Sequence, residues 1–288
     1  MELTNLSVIR GLMAEAGIEF RKEFGQNFLI NPLIPERIAE AASCDEDAVI
    51  LEIGPGIGTL TQELCRRYAR VIAIEIDGGL IPILNKTMAE FSNFRLIHGD
   101  CMKVDLAALL EEEAKGKRVS VCANLPYYIT TPILMKLLES DLPLDSITVM
   151  IQSEVADRLT ATPGSAEYGA ITATLGYYGE TRRLFTVSAG NFLPAPKVNS
   201  AVVQTKLYKE KPFTPLSEAY FHRTVKAAFA QRRKTLVNAL SSGFSGIDKA
   251  TLTGILADLG HSPTVRGERL STGEFVALSD ALYQHLSK

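Results

Sequence analysis

The chain has no paired cysteines. Its four, Cys44, Cys65, Cys101 and Cys122, stand singly, with no C-x-x-C among them. That argues against a zinc site or a disulfide scaffold and predicts reduced thiols in a cytoplasmic setting. There is no apolar run long enough to cross a bilayer. The opening residues, MELTNLSVIRGLMAEAGIEF, carry acids within the apolar stretch and lack a basic start and a small-residue cleavage site. No secretory signal is therefore expected. Internal repeats and low-complexity tracts are missing too. Nor is there an excess of positive charge: 30 Lys+Arg face 33 Asp+Glu, a net of −3, which alone discourages a nucleic-acid partner. The average hides an asymmetry. From Tyr208 onward 11 lysines and arginines face 7 acids, an excess of 4 that leaves −7 for the rest. A mildly basic C-terminal part permits RNA binding without demanding it.

What is present is the composition of an ordinary globular protein, with length for one large domain and a smaller one. Short β-branched runs recur: AVILEIG, RVIAIEI, FRLIHG, RVSVCAN, SITVMIQ, RRLFTVS and SAVVQTKLY. Between the early ones lie GTLTQELCRRY, GLIPILNKTMAEF, LAALLEEEAKG and TTPILMKLLES, with apolar residues at helical spacing. Such alternation predicts an α/β fold with a mainly parallel sheet covered on both faces. The last two runs are separated only by AGNFLPAPKVN, too short for a crossover helix, so they should form an antiparallel pair. Seven strands ending in this way differ from the six-stranded parallel sheet of nicotinamide dehydrogenases. After KEKPFTP the strand-like runs stop and helical patterns follow, which puts a boundary near Lys209.

LEIGPGIGTL ends the first strand and opens a helix. Gly54, Gly56 and Gly58 form a turn in which Thr59 stands where a dinucleotide fingerprint needs a small residue. Glu52, just before the glycines, would repel a pyrophosphate and suits a ligand with an amino group and no phosphates. Glu75 closes the second strand, where a carboxylate can take both ribose hydroxyls. Asp100 closes the third, where it can accept from an adenine amino group. Three acids at the carboxyl ends of adjacent strands mark a crevice for a nucleoside-containing ligand. With no phosphate-binding lysine, the set points to S-adenosylmethionine rather than ATP or NAD.

The fourth strand ends in NLPYY, residues 124–128, at the same crevice. The Asn124 side-chain oxygen and the Leu125 carbonyl can accept both hydrogens of an exocyclic amino group. That localises its lone pair and aims it at a methyl donor, by positioning and electrostatics without a strong base. Pro126 fixes the backbone, and Tyr127 offers a face to a base taken out of its stack.

NLPYYITTPIL, with LEIGPGIGTLT and KEFGQNFLIN, resembles the ribosomal RNA adenine dimethyltransferase family, and within it the bacterial small-subunit branch. The likeness continues through IQSEVADRL, YGAITATLGYY, NFLPAPKVNSAVV, FAQRRKTLVNAL and RGERLSTGEF, so it covers nearly the whole chain. It implies a Rossmann-like class I methyltransferase domain at 1–208, whose segment 1–31 closes over the donor, and a helical rRNA-recognition domain at 209–288. It implies S-adenosylmethionine as methyl donor, S-adenosylhomocysteine as product, and no metal. The reaction implied is dimethylation at N6 of two neighbouring adenosines near the 3′ end of 16S rRNA, with a part in small-subunit assembly. The implied partner is the small ribosomal subunit, with no membrane involved; a monomer is the simplest expectation, and the cytoplasm the expected location. By the same carry-over Asn27, Leu29, Gly54, Gly56, Glu75, Asp100 and Asn124 contact the donor. Asn124, Leu125, Pro126 and Tyr127 form the target-amino site, and Phe192 stacks on the other face of the adenine.

Two features depart from the family's pattern: Ser153 stands where a lysine is usual, removing an RNA-facing charge, and the isoelectric point is low. Tyr128 stands where many members carry asparagine, within the family's range. Competing readings are a large-subunit enzyme of the macrolide-resistance type and a non-catalytic ribosome-assembly factor. A helical wheel started at Phe221 puts Val225, Phe229, Leu236, Ala239 and Leu240 on one face, with Arg232 in its middle and Lys234 nearly opposite. The wheel predicts Arg232 partly buried against a carboxylate, Glu268 being one candidate, and leaves Lys234 and Arg233 to meet phosphates.

Overall fold

The computed structural model describes residues 1–18 and 27–287. In chain order come α1 (Leu6–Glu15), β1 (Phe28–Leu29), α2 (Leu33–Ala42), β2 (Val49–Ile53), α3 (Thr59–Arg67), β3 (Arg70–Glu75), α4 (Ile81–Thr87), β4 (Phe94–His98), α5 (Leu106–Ala114), β5 (Val119–Asn124), α6 (Thr130–Glu139) and β6 (Leu144–Gln152). There follow α7 (Ser153–Leu159), α8 (Ala170–Tyr178), β7 (Gly179–Val187), β8 (Phe192–Leu193), β9 (Ser200–Leu207), α9 (Glu218–Ala230), α10 (Leu236–Gly243), α11 (Lys249–Asp258) and α12 (Thr272–Leu286). Residues 19–26, which hold part of the expected donor-closing segment and of KEFGQNFLIN, lie outside the described residues. Helix starts follow their caps: the side chains of Asn5, Asp105, Ser217, Asp248 and Ser271 each accept a backbone N–H of the first turn.

All seven strand-like runs enter one seven-stranded sheet of order β4-β3-β2-β5-β6-β9-β7. β2 runs parallel to β3 and β5, β3 to β4, and β5 to β6, while β9 runs antiparallel to β6. β9 and β7 are neighbours at the edge, the antiparallel last pair expected from their short connection. Every residue of β2 is buried, as a strand covered on both faces requires. The chain builds outward from β2 to β4, then returns to place β5 on the other side of β2. The carboxyl ends of β2 and β5 therefore flank the point where strand order reverses, the usual seat of a ligand.

The chain forms two compact units: Met1–Ala156 with Arg182–Leu207, and Asp157–Thr181 with Tyr208–Lys288. Residues 157–181, counted with the first domain from sequence, thus pack with the C-terminal helices. Aromatic burial is the cause. Tyr168 stands edge-on to Phe229 at 6.0 Å and donates its hydroxyl to the Leu270 carbonyl at 2.9 Å. Tyr177 packs on Phe221 at 5.0 Å, and its hydroxyl bonds Glu218 at 2.5 Å.

The wheel over Phe221–Leu240 assumed one helix, and the structure has two. α9 ends at Ala230, Gln231 leaves helical geometry, and α10 restarts at Leu236, whose N–H bonds the Val265 carbonyl at 2.7 Å. The break lets α10 fold back onto α9, so closely that a Cβ on Gly243 would lie 2.5 Å from that of Ala227. Arg232 falls in the turn and is half-exposed, not buried. Its guanidinium donates to the carbonyls of Ala166 and Tyr168, with Glu268 at 3.8 Å. The candidate carboxylate is thus its neighbour, but backbone carbonyls are its main partners. Arg233 and Lys234 are exposed.

Candidate active site

The turn after β2 depends on glycine. Gly54 and Gly56 sit at φ +70° and +64°, where an L side chain is strained, and a Cβ on Gly56 would meet the Phe28 ring at 3.2 Å. The Gly56 N–H donates to Glu75 Oε2 at 3.1 Å, and Asp77 N–H to Glu75 Oε1 at 2.9 Å, so the tips of β2 and β3 are tied together. Burial raises the pKa of Glu75, and these backbone donors pull it part of the way back. Asp100, after β4, accepts the Met102 N–H at 2.9 Å through Oδ1, and Lys103 Nζ lies 3.9 Å from Oδ2.

Glu52 is 1% exposed, and its Oε2 is buried without a hydrogen-bond partner among the described residues. Burial pushes its pKa to about 8, the nearby Thr61 hydroxyl lowering it somewhat and the Glu75 carboxylate adding to the rise. At neutral pH it is mainly the uncharged acid, and a cationic amino group arriving beside it would favour ionisation. An orphaned carboxyl oxygen at the cleft wall, beside a glycine turn with no lysine in it, suits a nucleoside ligand that carries an ammonium group and no phosphates.

At the end of β5, Asn124 Nδ2 donates to the Asn27 carbonyl at a long 3.4 Å. Its Oδ1 is left as an acceptor. The turn that follows spends the Pro126 carbonyl on the Ile129 N–H and the Thr130 hydroxyl, both at 3.2 Å. Leu125 N–H is fixed to the Met150 carbonyl at 3.1 Å, while its own carbonyl takes no donor among the described residues. Tyr127 is half-buried, and Tyr128 is 61% exposed.

Every donor and target residue expected from the sequence, Phe192 excepted, lines a single cleft of about 1080 Å³ including its open mouth. Glu52, Ile76, Cys101 and Tyr128 line it too. Phe192 is not on this cleft. It is 3% exposed and packs in a core with Leu29, Ile34 and Ile38. β1 and β8 form an antiparallel two-stranded ribbon in which Leu29 opposes Phe192 and Phe28 opposes Leu193. Alternation sends Leu29 and Phe192 into that core, while Phe28 and Leu193 pack into another with Ile9, Leu12 and Leu80. In this arrangement the Phe192 ring is buried in the core and does not line the cleft. Asn31 Nδ2 donates to Asn191 Oδ1 at 2.9 Å and closes the ribbon. One sequence signal foreshadows it: Asn-Phe-Leu occurs at 27–29 and again at 191–193.

Residues 17–259 match the ribosomal RNA adenine dimethylase family. A ribosomal RNA small subunit methyltransferase A from Shouchella clausii is 47% identical over 280 residues, 96% of this chain and 94% of that protein. In overall structure the chain is similar to a dimethyladenosine transferase from Plasmodium falciparum, with a TM-score of 0.73 at 24% identity over 87% of this chain and 95% of that one. It is also similar to the 23S rRNA methyltransferase ErmE, with a TM-score of 0.69 at 23% identity over 89% and 99% of the two chains. At these identities the two structures speak for the fold alone.

Proposed function

This chain belongs to the ribosomal RNA adenine dimethylase family, and from that premise we propose that it dimethylates N6 of two adjacent adenosines near the 3′ end of small-subunit rRNA, using S-adenosylmethionine. The observation that carries the reading is the pair of free acceptors, Asn124 Oδ1 and the Leu125 carbonyl, at the rim of the cleft. Bound S-adenosylmethionine supplies a methyl group already activated on a cationic sulfur. Gly54, Gly56, Glu75 and Asp100 would hold its nucleoside, Glu52 its ammonium, and Asn27 and Leu29 would cover it. Asn124 Oδ1 and the Leu125 carbonyl accept the two N6 hydrogens and concentrate the lone pair on nitrogen. Pro126, without an N–H, holds that carbonyl in place, and Tyr127 bears the base. A neutral amide and a backbone carbonyl are not bases, so the surplus proton leaves to water. Donor binding and transfer are assigned to the first unit. Lys234 and Arg233 of the helical unit are assigned to rRNA phosphates, and a part in subunit assembly belongs to the same reading.

The test is incubation with radiolabelled S-adenosylmethionine and separated ribosomal subunits from cells lacking the modification, followed by scoring of N6-dimethyladenosine. The expected outcome is label in small subunits, reduced roughly a hundredfold or more by Asn124→Ala. Label in large subunits would move the protein to the macrolide-resistance class. No label on either, with tight binding to immature small subunits, would make it an assembly factor.

A further inference from the structure

The two tyrosines after Pro126 are held differently. Tyr128 makes no ring contact or hydrogen bond among the described residues and points its surface to solvent. The Tyr127 hydroxyl lies 2.7 Å from Ser200 Oγ, and Ser200 is wholly buried. A buried serine hydroxyl must find a partner, and this one finds it in a ring that lines the cleft. The fold brings the pair together by strand direction. β9 runs antiparallel to β6, and Ser200, its first residue, opposes Gln152 at the carboxyl end of β6. The start of the one antiparallel strand beside β6 is thereby delivered to the edge of the sheet where the parallel strands end and the cleft lies.

A tyrosine fixed only at its Cβ can change χ1 and sweep its ring through a wide arc. Fixed at the hydroxyl as well, it keeps one plane before any substrate arrives. We propose that Ser200 is a positioning residue for methyl transfer: by holding the Tyr127 hydroxyl it sets the ring plane on which the target adenine rests beside Asn124 Oδ1 and the Leu125 carbonyl. Tyr127 lines the cleft, so the plane of its ring governs how the base is presented. Ser200 is buried off the cleft lining and acts through the ring. This inference rests on the methyl-transfer reading above.

The test compares Ser200→Ala, Tyr127→Phe and the double variant on unmodified small subunits, with S-adenosylhomocysteine affinity measured by calorimetry and thermal midpoints recorded. Each single change should lower kcat about three- to tenfold, the worth of one neutral hydrogen bond. KM for subunits and S-adenosylhomocysteine affinity should stay within twofold. The double variant should lose no more than the worse single, since both changes remove the same bond. Additive losses, or a wild-type kcat in Tyr127→Phe, would overturn the assignment. Tyr127→Phe changes no residue of the buried strand itself, so it decides the matter even if Ser200→Ala fails to fold. Wild-type protein that methylates no rRNA would overturn the underlying reading instead, which keeps the two failures apart.

Discussion

Asn124 and Glu52 hold polar oxygen at the cleft by opposite means. Asn124 spends its nitrogen on the Asn27 carbonyl and so presents oxygen. Glu52 is buried and, among the described residues, unpartnered at Oε2, which disfavours its charge. The second arrangement has a cost that pH reveals. A carboxyl whose folded pKa is about 8, against 4.5 ordinarily, binds a proton in the folded state that the unfolded chain has released. Its contribution to stability is complete below about 4.5 and is lost as pH rises through about 8. The slope is up to about 1.4 kcal/mol per pH unit. Glu75, raised by burial, acts in the same direction. Denaturant unfolding of the ligand-free protein between pH 5.5 and 8 should show stability falling with pH, and Glu52→Gln should flatten that fall and raise stability at pH 8. Equal slopes in the two proteins would refute the burial argument. The acids and the NLPYY turn were legible in sequence because each stands at a strand's carboxyl end, where residue type and position together restrict the chemistry. Phe192 was not, since the direction of its ring is decided by pairing with Leu29, and two-residue strands leave no periodicity to read.

At the scale of elements, strands were easier to read than helix ends. β2, β3 and β5 are continuous apolar runs bounded by turns, and each lies where its run does. α9 and α10 were joined in the sequence reading because QRRKT contains no proline or glycine to mark a stop. The stop comes from packing: α10 doubles back so that Gly243 lies against Ala227, and Leu236 N–H is satisfied by Val265. Contact this close leaves no room for a methyl group. Gly243→Ala should destabilise the protein by about 1–3 kcal/mol despite alanine's better helix propensity, read as a lower urea midpoint at unchanged m-value. A neutral or stabilising result would mean that the two helices can part without loss. Arg232, freed from the wheel, binds carbonyls of the segment before α8 and so ties the turn to another part of its own unit.

Taken as a whole, the molecule is interleaved: the chain leaves its first unit at Ala156, returns at Arg182 and leaves again at Leu207. Neither unit can be isolated by one cut. A chain ended after Leu207 would keep Tyr168 and Tyr177 without Phe229 and Phe221, which share their burial in the complete protein. Such a truncation should aggregate on gel filtration and be cleaved within 157–181 by limited proteolysis, while replacing that segment with a short Gly-Ser linker should restore a soluble sheet. Solubility of the plain truncation would show that the segment does not need the later helices. The same interleaving has a consequence in time. Synthesis runs from the N-terminus, so residues 157–181 emerge before the helices that cover them exist, and β7 emerges before β9, the strand that joins it to β6. At ~5–20 residues per second, the roughly hundred residues from there to the end of α12 take about 5–20 s. For roughly the first quarter of that interval, until β9 is complete at Leu207, the growing chain carries an open sheet edge and a bare aromatic segment together, so its greatest need for chaperone protection falls in that stretch of translation.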